Sequence, residues 1–205
     1  MAQKIIPNIV IGRLPVYLRT LQYMLEEGRQ VTSSQELGER LGFSAAQIRK
    51  DLSQFGEFGK QGTGYNIQYL ADQLQGILKV NRDWDVVVVG AGDLGSALAR
   101  YQGFANRGFH VKMIFDSDSQ KIGTEIGKFI ILDSADMITS IQAAGIRIAM
   151  IAVPASDAQE AANQLVKAGV KAILNYAPVN LSVPHGVRVQ YIDPVIHMQH
   201  MTYYN

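Results

Sequence analysis

The chain has 205 residues, 47% hydrophobic and 18% charged, with a formal net charge of +1 and no cysteine. This size and composition fit one large or two small globular domains with a real core. They exclude disulfides, thiolate metal sites and a thiol redox switch, and no apolar run reaches the roughly 18 residues of a membrane-spanning helix. The opening residues, Met1 to Pro7, carry no signal-peptide core, so a cytoplasmic protein is expected. Residues 1–80 hold 9 Lys/Arg and 7 Asp/Glu, against 10 and 11 in residues 81–205. That asymmetry has the sign of a nucleic-acid-binding front half but is too small to argue from alone.

Leu14, Leu18, Leu21 and Leu25 recur at helical spacing and predict a first helix over about 15–27, with Pro15 in its first turn and Gly28 as its stop. Ser33 with Glu36 and Ser44 with Gln47 have the spacing of two capping boxes. They predict two short helices separated at Gly42-Phe43, the second burying Ile48, Leu52 and Phe55. This is the helix-turn-helix plan, whose second helix enters the major groove. Candidate DNA-binding residues on it are Ser44, Gln47, Arg49, Lys50 and Ser53, with Gln54 on the same face. Gln, Arg and Lys are the types that read base edges and clamp phosphates. The glycine-rich run 56–67 predicts a β-hairpin wing with Lys60 at its tip, where glycines allow close approach to a narrow minor groove. A helical domain with a merely solvated face is the plainer alternative. The order of capped helices, polar face and wing favours DNA binding.

Next, Val86 to Val89 predict a buried strand leading into Gly90-Ala91-Gly92-Asp93-Leu94-Gly95. In such a turn the first glycine permits the bend and the second lets amides approach a pyrophosphate. The third packs the following helix, here expected to run through Leu94, Leu98, Tyr101 and Phe104. A second strand, Val111 to Phe115, ends at Asp116, 26 residues past Gly90 and somewhat beyond the usual ~20 to the ribose-binding acid. A carboxylate there repels a 2′-phosphate, and Ser117-Asp118 offer no cation, so NAD(H) rather than NADP(H) is predicted. A strand over 146–153, a helix over 155–168 and a strand over 170–174 follow. Val153, Pro154, Ala177 and Pro178 then stand at strand carboxyl ends, where open α/β sheets bind ligands. Asp193 and Pro194 have the pattern of an N-cap and first residue of a terminal helix. Its Ile196, Met198, Met201, Tyr203 and Tyr204 are too apolar for water and predict packing on another subunit. His197 and His200 lack further ligands, so no metal site is expected.

Several of these segments resemble Rex, the bacterial redox-sensing transcriptional repressor family. They are Arg13 to Arg19, Gln47 to Gly59, the Gly90 turn, Phe115-Asp116 with Lys121-Ile122-Gly123, and Ile173 to Pro178. The resemblance spans essentially the whole chain, and Gln47-Ile48-Arg49-Lys50-Asp51-Leu52 is its most specific block. It implies a homodimer that binds operator DNA when free or with NAD⁺ and releases it with NADH. It adds Ile122 to the cofactor site and a switch network at Arg19, Tyr101 and Asp193. The expected architecture is a winged helix-turn-helix domain (1–80), an α/β Rossmann domain with a mostly parallel, doubly wound sheet (81–191), and a terminal helix exchanged between subunits (192–205). Two positions depart from the family: Asp93 stands where Asn is usual, and Pro194 where a larger apolar residue is usual.

A redox-sensing repressor is thus the first functional expectation. A small NAD-dependent dehydrogenase with an appended regulatory domain is the alternative. It needs an acid/base group, yet Tyr101 is followed by no lysine four residues on, and His110 precedes the second strand. No catalytic residue is therefore assigned. A CoA-type nucleotide in the back domain is a third possibility, against which Asp116 argues.

Overall fold

The computed structural model describes residues 6–60 and 63–204, with the Lys60 side chain outside the description. It divides into two compact units, Met1–Arg82 and Asp83–Asn205.

The first unit is built from α1 (Asn8–Glu26), β1 (Val31–Thr32), α2 (Ser34–Leu41), α3 (Ala45–Leu52), β2 (Gly59–Lys60), β3 (Gly64–Asn66) and α4 (Ile67–Leu78). α1 begins well before the predicted start and carries Pro15 in its interior. An interior proline costs about 3 kcal/mol. Here six side chains (Val10, Leu14, Tyr17, Leu18, Leu21 and Met24) are buried along one face, each worth roughly 1.5–3 kcal/mol. Packing therefore overrides the local break. α4, a helix not expected from periodicity, is capped by Asn66, whose Oδ1 accepts from the Tyr69 N–H at 2.8 Å. Its Ile67, Leu70, Ala71 and Leu74 complete the core that α1 begins.

Each predicted capping box forms by half. Ser33 and Ser44 accept from the backbone N–H of Glu36 and Gln47, both at 3.1 Å. The return partners are engaged elsewhere: Glu36 takes the Thr32 hydroxyl and Arg29, and Gln47 turns to Asp51. Gly42 separates the helices at φ +72, a left-handed value that suits glycine. β3 pairs antiparallel with both β1 and β2. This gives the wing of a winged helix; residues 61–62 and the Lys60 side chain expected at its tip lie outside the described residues.

The second unit contains β4 (Trp84–Val89), α5 (Asp93–Arg100), α6 (Gln102–Ala105), β5 (Phe109–Asp116), β6 (Glu125–Ile126), β7 (Phe129–Asp133), α7 (Met137–Ala144), β8 (Ile148–Ile151), α8 (Ala155–Lys167), β9 (Ala172–Asn175), β10 (Arg188–Tyr191) and α9 (Pro194–Thr202). The sheet order is β10-β9-β8-β4-β5-β7-β6. Every pairing is parallel except that of β6 with β7. The six parallel strands follow the 3-2-1-4-5-6 order of dinucleotide-binding folds. The valine run of β4 is explained by this layering: Val87 and Val89 pack into the core on one face, Val86 and Val88 into that on the other.

The helix predicted through Phe104 is interrupted. Tyr101 is extended (φ −72, ψ 108) between α5 and α6, leaving the residue 56% exposed. His110 lies within β5 rather than before it, with Nε2 3.3 Å from Asp83. β8 is two residues shorter than expected at each end, and β9 starts two residues later and ends one later, because the buried Ile146 and Val170 carry the apolar pattern into the turns that precede them.

Candidate functional site

The chain runs outward from β4 through β5 to β7, then returns to β8 on the other side of β4. The crevice at the carboxyl ends of β4 and β8 is the place where open α/β sheets bind ligands. Gly90 follows β4 there at φ +99, and a Cβ on it would lie 2.5 Å from the Ala152 carbonyl oxygen after β8. A Cβ on Gly95 would collide with the Gly90 carbonyl, so α5 packs directly on the turn. Nothing lies within 4 Å of a Cβ on Gly92. The backbone there is open to an incoming group, and Gly92 caps α5. The first-turn N–H groups of a helix lack intrahelical partners and favour an anion. Ala91 is buried, whereas Asp93 and Leu94 are exposed on that first turn.

Asp116 ends β5 beside this turn. Its Oδ2 accepts from the Ala91 N–H at 2.7 Å and its Oδ1 from the Asp118 N–H at 2.9 Å. Lys121 Nζ lies 3.5 Å from Asp116 and 3.7 Å from Asp118. Burial pushes the Asp116 carboxyl up, but the two backbone donors and Lys121 outweigh it and hold it below the usual carboxylate range. The sequence placed Lys121 in a family-like segment but assigned it no part beside Asp116. The turn at Asp118, whose carbonyl accepts from the N–H groups of Lys121 and Ile122, folds the cation back onto the acid and leaves Ile122 half-buried.

Val153 is half-buried and Pro154 caps α8, at the end of β8. Ala177 is buried and Pro178 exposed, after β9. Their loop is held by Asn175, which was not singled out from the sequence as a site residue. This side chain is 1% exposed. Its Nδ2 donates to the carbonyls of Ala177 and Val179, and its Oδ1 accepts from the Ala177 N–H, all at 3.0 Å. A polar residue ending an apolar strand was the available signal.

On α3, Arg49 and Lys50 are exposed. Arg49 donates to the Ser34 hydroxyl at 2.9 Å, and Ser53 and Gln54 donate to the Lys50 carbonyl. Gln47 is half-buried instead, its Nε2 donating to Asp51 Oδ1 at 2.7 Å. Asp51 is the unexpected centre of this unit. Arg13 holds it in a fork of 2.6 and 2.8 Å, and the Tyr17 hydroxyl donates to it at 2.7 Å. Burial pushes the Asp51 carboxyl up, and these donors more than reverse that. Burial, then the neighbouring carboxylate, pushes the Tyr17 phenol up. The apolar phase of Ile48 and Leu52 places Asp51 on the inner face, which was the signal overlooked.

Arg19 is exposed on α1, in the first unit. In the second, Tyr101 stacks edge-on with Phe104 at 5.0 Å, and Asp193 caps α9 by accepting from the Val195 N–H at 2.9 Å. α9 is exposed along its length: Ile196, Met198 and Met201 on it, and Tyr203 and Tyr204 just after it, are all more than half exposed. Among the described residues, no three His, Asp or Glu side chains group to hold a metal ion, and no helix is long and apolar enough to cross a membrane.

Two family models match the chain: "CoA binding domain" over residues 81–179 and "Putative DNA-binding protein N-terminus" over residues 5–53. The chain is 55% identical over 200 residues to the redox-sensing transcriptional repressor Rex of Roseiflexus sp. (strain RS-1), covering 97% of this chain and 90% of that protein. A crystal structure of RSP, solved with β-NAD⁺ and operator DNA, superposes with a TM-score of 0.93 at 37% identity. The match covers 98% of this chain and 93% of that one. The structure of RSP with β-NADH gives 0.88 at 35% identity, covering 98% and 95%. With a winged helix ahead of a dinucleotide-type sheet and relatives matched along almost its full length, the chain belongs to the Rex family of redox-sensing transcriptional repressors.

Proposed function

We propose that this protein represses transcription as a homodimer on operator DNA and reports the NADH/NAD⁺ ratio through its second unit. The observation that carries this reading is the open glycine turn at the β4–β8 crevice, completed by Asp116. NAD(H) lies across Gly90, Ala91, Gly92, Asp93, Leu94 and Gly95, with its pyrophosphate on the α5 N-terminus and its ribose on Asp116. Ile122, Val153, Pro154, Ala177 and Pro178 line the remainder. RSP holds β-NAD⁺ together with operator DNA in one structure and β-NADH in another, which supports assigning both ligands here.

Ser44, Gln47, Arg49, Lys50 and Ser53, on α3 and its two caps, meet the major groove, and Lys60 of the wing the adjacent minor groove. One such module buries only about 600–1,000 Å², so two half-sites and a dimer supply the specificity. The exchanged segment 192–205 joins the protomers, and its exposed apolar side chains support that role. Arg19, Tyr101 and Asp193 form the network through which NADH biases the two reading heads. The domains are 1–80 and 81–191, and the protein acts in the cytoplasm.

The dinucleotide is bound and released unchanged. A coupling of about 1–3 kcal/mol alters operator affinity roughly 5–150-fold. Titrating a protein–operator complex with NADH and with NAD⁺ tests this: NADH displaces the DNA and NAD⁺ does not. Equal displacement by both ends the sensor reading. Because the matched domain model is named for CoA, CoA is the control ligand. NADH is expected to quench the Trp84 and tyrosine fluorescence, and CoA is not.

A further inference from the structure

Asp51 lies on the reading helix but is only 1% exposed. It accepts four hydrogen bonds of 2.6–2.8 Å from three residues. Arg13 and Tyr17 stand one turn apart on α1, while Gln47 stands one turn before Asp51 on α3. Stability alone is a poor reason for this arrangement. Burying an ion pair carries a desolvation cost that an apolar side chain of similar volume avoids. What the arrangement supplies is direction. Apolar contacts between Ile48 or Leu52 and α1 tolerate small rotations, whereas a forked arginine and a phenol on one carboxylate do not. A carboxylate only accepts hydrogen bonds, so it also dictates that the Gln47 amide nitrogen faces inward, leaving Oε1 and one N–H for another partner.

We propose that Asp51 is a positioning residue for operator reading. It locks the rotation of α3 on α1 and orients Gln47, without itself touching DNA. This rests on the operator-binding reading above.

The test uses the full-length chain, Asp51→Asn and Tyr17→Phe, with an operator selected from random duplexes by the unmutated protein. Affinities for that operator and for an unrelated duplex of equal length are compared at one salt concentration, with NADH affinity and thermal unfolding alongside. The exposed cations remain, so affinity for unrelated DNA is expected to hold in both variants. The ratio of operator to unrelated affinity is expected to fall roughly 5–150-fold in Asp51→Asn, the loss of about one base contact. In Tyr17→Phe, which removes one bond of the four, it falls roughly 3–10-fold. NADH affinity stays unchanged. A purely structural role lowers thermal stability and scales both DNA affinities together; an unchanged ratio therefore overturns the proposal. Should Asp51→Asn not fold, the ratio in Tyr17→Phe decides by the same criterion. If selection with the unmutated protein yields no preferred duplex, the operator-binding reading itself fails, and this proposal with it.

Discussion

Asp116 accepts a hydrogen bond from the backbone N–H of Ala91 at 2.7 Å, so one carboxylate joins the end of β5 to the glycine turn after β4. The acid assigned to the ribose also shapes the loop assigned to the pyrophosphate. Asp116→Ala is expected to weaken NADH binding roughly 10–100-fold while leaving operator binding by the free protein unchanged, read by calorimetry and by DNA titration. Its folded-state pKa is depressed. Its contribution to stability is thus present above the ordinary carboxylate range, about pH 4, and lost as pH falls through the lowered value. Below about pH 4, the unmutated protein's melting temperature should fall more steeply than that of Asp116→Asn. Parallel curves would remove this linkage.

Gly90 combines φ +99 with a carbonyl oxygen 2.5 Å from where a Cβ would stand. Gly90→Ala is expected to cost about 1–3 kcal/mol in unfolding experiments and to abolish NADH-dependent quenching. Retained quenching would show that the turn can shift without losing its ligand.

Asp93 is exposed in the first turn of α5, where a phosphate is assigned. Two like charges about 4 Å apart in water repel by about 1 kcal/mol. Asp93→Asn should therefore tighten both NADH and NAD⁺ roughly fivefold at low salt, with the gain shrinking as salt rises. Unchanged affinity at low salt would place the carboxylate away from the pyrophosphate.

Arg49 is exposed on α3, where it donates to the Ser34 hydroxyl. Arg49→Ala is expected to weaken operator binding and leave NADH affinity alone. If it contacts a phosphate, the slope of log affinity against log salt drops by about one. If it reads a base, specificity at one position relaxes instead. A loss of NADH affinity with intact DNA binding would reverse the assignment of the two units.

Ile196 is 60% exposed on α9. Ile196→Asp should shift the protein from dimer to monomer in sedimentation and remove tight operator binding. NADH affinity, carried by the glycine turn, should weaken far less. A stable dimer in that variant would place the subunit interface elsewhere.

By itself the sequence determined the features that depend on neighbours along the chain. The caps at Ser33, Ser44 and Asp193 need an N–H two or three residues away. The left-handed turns at Gly42 and Gly90 need the absence of a Cβ. The valine run of β4 needs only its own two-sided burial. Tertiary structure decided the rest. Pro15 stays inside α1 because a whole buried face outweighs one missing hydrogen bond. Tyr101 interrupts the helix that its flanking apolar residues would continue. The Arg13–Asp51 pair spans 38 positions, and Lys121 reaches Asp116 only through the turn at Asp118. Periodicity and capping record the energetics of one or two helical turns. Which polar groups meet in the interior depends on how separate elements pack, and no local spacing encodes that.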